Sequence, residues 1–268
     1  MGIFDGYLIG VDFDGTLTGS DGSIPQSNIS AICEYISEGG LFTVVTGRTF
    51  QGFHVYREDI INAPVIMCNG SLAYDYKNGK PAFYNGLTAE TSDFIDYLIT
   101  EHPNVSTELY GLGFTFAANI NENSYRHLAC QDIIYNEVCS SSEITFPLAK
   151  IMLNGKHGEL EKIAEKSREY PFLGYIDGFN EWMEIVTAGT NKAQGLLCLA
   201  SQLGVSTEKI CCAGDGYNDC DMLSAFRNSF APSSGCESAI KAAAYTTCSA
   251  DDGAIAGMIE MLREIIKR

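Results

Sequence analysis

The stretch LIGVDFDGTLT, from Leu8 to Thr18, constrains the fold more than any other part of the sequence. An apolar run ends there at an acidic, glycine-containing corner, as a buried parallel strand ends at the working edge of a sheet. Ligands of open α/β sheets bind outside the carboxyl ends of such strands. Asp12 and Asp14 stand two positions apart, so an extended backbone would point both carboxylates to one side. Such carboxylates repel unless a cation separates them or one keeps a proton, although a plain Asp-Gly turn explains the pattern equally well.

The segments around this corner predict a doubly wound, mostly parallel, Rossmann-like sheet. Apolar periodicity predicts alternating helices and strands, in the order helix Ser27 to Ser37, strand Leu41 to Val45, helix Thr49 to Ile61 and strand Val65 to Cys68. The alternation returns after Gly189 with helix Lys192 to Leu203, strand Lys209 to Ala213 and a final helix, Ala254 to Ile266. Strands that alternate with helices in this way indicate an α/β fold.

The character of the sequence changes between about Tyr84 and Trp182. This part contains helical patterns and several short strands, with the helices predicted at 88–101, 124–139 and 157–170. It has no carboxylate pair and no Gly-rich strand end. We therefore expect residues 84–183 to form an inserted α+β domain, and residues 1–83 and 184–268 to form the core domain together.

Charge and cysteine usage exclude several classes of protein. The net charge of −17 opposes binding to nucleic acid and to anionic membranes. None of the 10 cysteines forms a Cys-x-x-Cys pair, so neither a zinc site nor a disulfide scaffold is indicated. The first residues lack the basic and long apolar parts of a signal peptide, and no apolar stretch approaches the ~20 residues of a membrane span. We expect a cytoplasmic protein. The sequence carries no signal for its oligomeric state.

Polar residues follow several of the predicted strands or begin a helix, where they would meet at one edge of the sheet. They are Asp12 and Asp14, Thr46-Gly47, Lys192, and Asp215 with Asn218 and Asp219. Oxygen ligands from separate strands suit Mg²⁺, which leaves room for water and a substrate phosphate. Each piece alone has an ordinary explanation as a turn, a helix cap or a surface residue. Their order and placement favour one anion-binding site.

These motifs resemble those of the haloacid dehalogenase (HAD) superfamily, and within it the Cof-type phosphatases with a large α/β cap. The matching segments span the chain from end to end and are Val11–Thr18, Val44–Arg48, Asn69-Gly70, Asn191–Gly195 and Gly214–Leu223. The insertion between Asn69-Gly70 and Asn191–Gly195 is where this family places its cap. One departure is Ala193, since the family usually has Gly after its lysine.

The resemblance implies phosphoryl transfer through an aspartyl-phosphate. In that picture Asp12 is the nucleophile, and Asp14 protonates the leaving oxygen and then activates water. The remaining roles would be Mg²⁺ binding by Asp12, the main-chain carbonyl of Asp14 and Asp215, with Asp219 nearby, and phosphate or substrate binding by Thr46, Gly47, Arg48, Asn69, Lys192 and Asn218.

The leading hypothesis is a Mg²⁺-dependent phosphatase of a small phosphorylated metabolite, such as a sugar phosphate. A phosphotransferase such as a phosphomutase would use the same residues, and a non-catalytic phosphate sensor would keep the fold. The sensor is disfavoured because Asp12, Asp14 and Asp215 are all present. Candidates for substrate selection lie in the inserted segment and are Tyr110, Phe114, Arg126, Glu181, Trp182 and Glu184.

Overall fold

The computed structural model describes residues 2–54, 56–177 and 181–267. The chain divides into a first compact unit of residues 1–47, 55–83 and 191–268, and a second of residues 48–54 and 84–190. The helices are α1 (Gln26–Ser37), α2 (Ser92–Glu101), α3 (Glu122–Cys130), α4 (His157–Ser167), α5 (Lys192–Gln202), α6 (Cys220–Ala225), α7 (Glu237–Ala242) and α8 (Ala254–Ile266). The strands are β1 (Leu8–Val11), β2 (Leu41–Val44), β3 (Val65–Met67), β4 (Leu72–Asp75), β5 (Lys80–Tyr84), β6 (Ser106–Gly111), β7 (Thr115–Ala118), β8 (Asn136–Glu137), β9 (Leu148–Asn154), β10 (Leu173–Asp177), β11 (Trp182–Thr187), β12 (Ile210–Ala213), β13 (Asn228–Pro232) and β14 (Tyr245–Thr247).

The first unit is built on a parallel sheet in the order β14-β13-β12-β1-β2. Every residue of β1 and β12 is buried, which is why these strands are continuous apolar runs. Leu8 packs in one cluster with Leu196 and Leu199 of α5. By strand alternation, Ile9 and Val11 then point to the opposite face of the sheet. The prediction of a Rossmann-like α/β core is confirmed.

Strand β3 continues this arrangement and also begins a small second sheet. A parallel bridge joins Val45 to Ile66, and β3 pairs antiparallel with β4 in the order β3-β4-β5. Strands β4 and β5 are not among the elements predicted from the sequence. The Asn78-Gly79 pair between them is the hairpin signal from which they could have been predicted.

The predicted helix from Thr49 to Ile61 is wrong, because the described residues of this range form turns and irregular chain. The side chain of Thr49 accepts a hydrogen bond from Gly52 N at 3.0 Å, a local bond that competes with helix formation. Gly52 within the pattern adds about 1 kcal/mol against a helix.

The second unit is an α+β structure around a sheet in the order β10-β11-β9-β6-β7-β8. The pairs of β9 with β6 and β11 are antiparallel, and β7 pairs parallel with β8. Residues of α2 and α4 form one core with alternate residues of β6, β9 and β11, including Phe94, Leu98, Leu109, Ile151, Ile163 and Ile185. The inserted α+β domain expected from the sequence therefore has its own core.

The helix predicted from Ser124 to Cys139 is wrong in its second half, because α3 ends at Cys130. Asp132 has a left-handed backbone with φ of 51°, and Ile133 N donates to Leu128 O at 3.0 Å to close the helix end.

The predicted domain boundary at residues 183 and 184 falls inside β11, which pairs with β9 and β10 of the second unit. Among the described residues, no helix is both long enough and apolar enough to cross a membrane.

Candidate active site

The carboxyl ends of β1, β2 and β12 lie side by side and place the first site residues. Val11 is in register with Val44 and with Ala213, so the residues after these strands start at one level. Asp12 N donates to Ala213 O at 2.8 Å, which holds Asp12 against the end of β12. The acidic corner at Asp12 and the segment that begins at Gly214 therefore meet at one edge of the sheet, as predicted.

Three carboxylates cluster at this edge. Asp12, Asp215 and Asp219 each offer an oxygen, and these oxygens all lie within 4.8 Å of one another. Asp12 and Asp219 are buried and Asp215 is partly buried. The side chain of Asp14 is exposed, and in the described part of the chain it is not one of the clustered carboxylates. Four residues were predicted around the metal, and the side chains of three of them, Asp12, Asp215 and Asp219, thus lie close together.

Lys192 is the cation of this cluster. It is the first residue of α5 and is 1 % exposed, and its Nζ donates to Asp12 Oδ1 at 2.5 Å and to Asp219 Oδ1 at 2.6 Å. Asn191 caps α5 because its side chain accepts from Gln194 N at 2.9 Å, which fixes where the helix begins. The prediction that Lys192 belongs to the site is consistent with this burial, which a solvated surface lysine would not show.

Hydrogen bonds from the protein orient the other two carboxylates. Asp219 Oδ2 accepts from the main-chain N–H groups of Asp215 at 3.0 Å and Gly216 at 2.8 Å. Thr16 Oγ1 donates to Asp215 Oδ1 at 2.5 Å. Thr16 is a site residue to which the sequence analysis gave no role, although it lies within the Val11–Thr18 motif. The buried hydroxyl of Thr16 bonds Oδ1 of Asp215 and not the other carboxylate oxygen, Oδ2.

Gly15 is required by the turn that carries Asp14. The segment Phe13–Leu17 is a single wide helical turn in which Gly15 has φ of 82°. A Cβ at Gly15 would lie 2.7 Å from Asp215 Oδ2, so any larger residue would collide with the carboxylate cluster. Glycine after Asp14 therefore allows the turn to pack closely against Asp215.

Thr46, Gly47, Asn69 and Asn218 form a neutral polar group in the same unit. Asn69 N donates to Thr46 O at 3.0 Å, and Asn218 Nδ2 donates to Asn69 Oδ1 at 3.1 Å. A Cβ on Gly47 would lie 3.1 Å from Asn69 Oδ1. The structure thus links these four predicted residues by contact. Arg48, in contrast, lies in the second unit by its contacts, where its Nη1 donates to Gly52 O at 3.4 Å, and its role in substrate binding stays a prediction.

The residues suggested for substrate selection lie in the second unit in varied environments. Tyr110 is fully buried and donates to Glu108, while Glu184 pairs with the buried Lys150 at 2.8 Å. Arg126 is mostly exposed and pairs with Glu122. Tyr110, Glu184 and Arg126 thus each bind another side chain of the protein, which gives them a structural role. Their role in substrate selection stays a prediction.

The electrostatics of the cluster show an excess of negative charge. Burial raises the pKa of Asp12 to about 8, against the opposing charge of Lys192 and with a further rise from Asp219. Burial also raises the pKa of Asp215, and the hydrogen bond from Thr16 acts in the opposite direction. For Lys192, burial alone would lower the pKa, but the charges of Asp12 and Asp219 outweigh burial and raise it.

The donor set of the cluster fits a divalent cation. Three carboxylates face one ammonium group, so the fully ionised cluster keeps two uncompensated negative charges in a largely buried place. Mg²⁺ prefers oxygen ligands and takes few of them from protein, which matches carboxylates on two separate segments of the chain. Burial is the main cause of the raised pKa values of Asp12 and Asp215, and the charge of Asp219 raises both further.

Comparisons with known proteins agree with this geometry. The family model of the haloacid dehalogenase-like hydrolases matches residues 9–259. The chain is 22% identical over 272 residues to 5-amino-6-(5-phospho-D-ribitylamino)uracil phosphatase YitU of Bacillus subtilis, covering 95% of this chain and 96% of that protein. It is 23% identical to pyridoxal phosphate phosphatase YbhA of Escherichia coli, covering 81% of this chain and 84% of that protein.

Among solved structures, the fold is similar to that of the HAD subclass IIB sugar phosphatase BT4131. The TM-score is 0.82 at 18% identity, and the match covers 96% of this chain and 98% of that one. The family match extends over nearly the whole chain and includes every motif on which the resemblance depended. The chain therefore belongs to the haloacid dehalogenase-like hydrolases, as a phosphatase of the Cof type.

Proposed function

We propose that this phosphatase hydrolyses a small phosphorylated metabolite with the help of Mg²⁺, through an aspartyl-phosphate on Asp12. The observation that carries the proposal is the placement of Asp12 at the end of β1, bonded to Lys192 and grouped with Asp215 and Asp219. A carboxylate, a fixed cation and two further carboxylates thus lie around one point. An arrangement of this kind supports attack on an anionic phosphoryl group.

Asp12 and Asp14 divide the chemistry between them. Asp12 Oδ1 is held by Lys192, so Oδ2 is the oxygen that forms the bond to phosphorus while the bond from phosphorus to the ester oxygen breaks. Asp14 gives its proton to the departing alcohol oxygen. In the second step Asp14 takes a proton from water, whose oxygen attacks phosphorus and releases inorganic phosphate and free Asp12. The first step leaves Asp14 as a carboxylate, which is the form that accepts the proton of water in the second step.

The other residues hold the reacting groups in place. Asp12, Asp215 and the main-chain carbonyl of Asp14 would bind Mg²⁺, with Asp219 beside them, and the metal when bound would neutralise charge on the phosphoryl oxygens. Lys192 opposes the protonation of Asp12 and orients it, and contributes positive charge toward the phosphoryl group. Thr46, Gly47 and Asn218 offer neutral donors for phosphate oxygens. A phosphomutase would transfer the phosphoryl group to a sugar hydroxyl, and no contact among the described residues favours that acceptor over water.

Phosphate release from a panel of esters tests the function. The panel contains sugar phosphates, pyridoxal phosphate and 5-amino-6-(5-phospho-D-ribitylamino)uracil, because proteins similar to this chain are named as phosphatases of these compounds. We expect release of inorganic phosphate without any added acceptor, and a loss of about 10²-fold or more when a chelator removes Mg²⁺. Activity that survives chelation contradicts the metal assignment. Transfer to an added sugar hydroxyl with no release to water supports the mutase.

The pH dependence of metal binding tests the electrostatics of the cluster. The pKa of Asp12 is raised to about 8 in the metal-free protein, so below that pH Mg²⁺ must displace a proton. We expect the apparent Mg²⁺ affinity, measured by thermal stabilisation, to rise by up to about tenfold per pH unit as the pH approaches 8 and to level off above it. Asp12→Asn removes this proton and should flatten the dependence. An affinity that falls as the pH rises through this range contradicts the assignment.

A further inference from the structure

We propose that Gly70 and Gly195 are positioning residues for Lys192, because they let the start of α5 lie directly against the turn that follows β3. The inference rests on the proposed function, in which Lys192 contributes positive charge toward the phosphoryl group. Both glycines and Lys192 belong to the first compact unit. Gly70 ends the turn Cys68–Gly70, and Gly195 is the fourth residue of α5, about one helical turn after the cap residue Asn191.

The main chains of these two segments are in contact and leave no space for a side chain between them. A Cβ atom on Gly195 would lie 2.8 Å from Gly70 Cα and 3.0 Å from Ile66 Cγ2. A Cβ atom on Gly70 would lie 2.2 Å from Asn191 O and 3.4 Å from Gly195 N. Most of these atoms belong to the main chain, so a change of side-chain rotamer cannot relieve the overlap. The contact therefore requires glycine at both positions.

The turn that carries Gly70 is fixed by its own hydrogen bonds and by the strands on either side of it. Ser71 N donates to Cys68 O at 3.2 Å, and Met67 pairs with Leu72 across the hairpin of β3 and β4. The backbone of Gly70 has φ of 107°, a conformation that glycine adopts readily and other residues avoid. The turn is thus a fixed surface against which the start of α5 packs.

The contact involves the part of α5 that sets the position of Lys192. Asn191 O, the atom that a Cβ on Gly70 would meet, also accepts from Gly195 N at 3.0 Å in the first turn of the helix. Lys192 follows Asn191 directly in the sequence, and its Nζ donates to two carboxylates at 2.5 and 2.6 Å. The place of this helical turn against the fixed surface therefore sets where the ammonium group can lie.

A methyl group at position 195 would displace the start of α5. Carbon atoms in contact lie about 3.5–4.0 Å apart, so the helix and the turn would have to separate by roughly 0.7 Å or more. Lys192 is 1 % exposed, so its side chain has little free space in which to recover its bonds after such a shift. A displacement of about 1 Å in a group that positions substrate can cost up to about 10²-fold in rate.

The same contact gives a physical reading of the departure at Ala193. The methyl group of Ala193 is buried in one cluster with Leu196, so α5 has room for a small side chain at that position. The glycine of α5 is Gly195 instead, two positions later, where the turn after β3 leaves no room for a methyl group. In this chain the close approach of the helix is therefore made at Gly195.

Gly195→Ala tests the proposal, and Gly257→Ala is its matched control. Gly257 is the fourth residue of α8, as Gly195 is of α5, and a Cβ on Gly257 would lie 3.5 Å from Cys248 Sγ, an ordinary contact. Alanine is favoured over glycine inside helices, so helix propensity should harm neither variant. In titration calorimetry with Mg²⁺ present, we expect the dissociation constant of inorganic phosphate to rise about tenfold in Gly195→Ala and to stay within about twofold in Gly257→Ala.

The same substitution in a Lys192→Met background separates positioning from a general structural role. Because Gly195 acts through Lys192, the effect of Gly195→Ala on phosphate binding should shrink to within about twofold once the ammonium group is absent. An equal loss in both backgrounds overturns the proposal, and so does a Gly195→Ala protein that binds phosphate as tightly as the wild type. Should the double variant not fold, Lys192→Arg is the second background. A loss there as large as in the wild type also overturns the proposal, and a smaller loss supports it.

Folding and function are checked separately. Circular dichroism and the melting temperature show whether each variant is folded. A Gly195→Ala protein that does not fold shows that the contact serves the core rather than Lys192, which overturns the proposal. A wild-type protein that neither binds inorganic phosphate nor hydrolyses any ester of the panel refutes the proposed function itself, and the role of the two glycines is rejected with it.

Discussion

Asp12→Asn is expected to abolish phosphate release while leaving the protein folded. The amide has the shape of the carboxylate but cannot form the bond to phosphorus, so we expect a loss of at least about 10³-fold in kcat. Stability should hold because Lys192 keeps Asp219 as its partner, and because the neutral amide reduces the excess negative charge of the cluster. Single-turnover phosphate release and the melting temperature measure the two effects.

Asp221→Asn is the matched control for this variant. Asp221 is close in sequence to Asp215 and Asp219 but lies exposed on α6, where Asn191 Nδ2 donates to it at 3.3 Å. Its neutralisation should alter kcat by no more than about twofold. A second check uses labelled substrate and rapid acid quenching, which should trap label on the wild-type chain and none on Asp12→Asn. Label on the variant would show that another residue is the nucleophile.

Lys192→Met is expected to damage stability and activity together. Lys192 bonds two buried carboxylates, and removal of one partner from a buried ion pair typically costs about 3–5 kcal/mol. For a chain of this size that corresponds to a fall in melting temperature of roughly 6–20 °C. Turnover should also fall sharply, because Asp12 loses the charge that opposes its protonation and the phosphoryl group loses a cation.

The pH dependence of this variant gives the sign of the effect. Without Lys192, the pKa of Asp12 should rise further, since that charge now lowers it. Protonation then relieves the repulsion, so the destabilisation of Lys192→Met should shrink as the pH falls and grow as it rises. Lys241→Met is the control, because Lys241 pairs with Glu237 on the exposed surface of α7 and such pairs contribute about 0.3–0.5 kcal/mol. Equal melting temperatures for Lys192→Met and the wild type would contradict a buried ionic role.

Much of the first unit was predictable because its signals are local. The buried strands β1 and β12 are continuous apolar runs, and α8 shows an apolar stripe in which Ile255, Met258, Ile259 and Leu262 are buried. The site residues follow such strands directly, so their meeting at one sheet edge follows from the parallel topology. The grouping of Asp12 with Lys192 depends on this topology more than on any spacing in the sequence.

The errors arise where distant parts of the chain decide the local structure. The range from Thr49 to Ile61 has helix-like spacing, but Gln51 and Gly52 are held by the β6–β7 connection and by Gln131, which are far away in sequence. Residues 131–139 leave the helical pattern for a local reason, because Asp132 takes a left-handed backbone. The role of Thr16 depends on a contact with Asp215, 199 positions away, and no periodicity could reveal it.

The strand order has a consequence for synthesis of the protein. Because β1 lies between β2 and β12, its neighbour on one side is not made until more than two thirds of the chain has been translated. A nascent chain that ends before Lys192 carries Asp12 without its ammonium partner or the two later carboxylates. Ribosome-bound fragments are therefore expected to be inert toward phosphate esters, and catalytic competence should arise late, in one step, when the segment from Lys192 to Asp219 has emerged and docked.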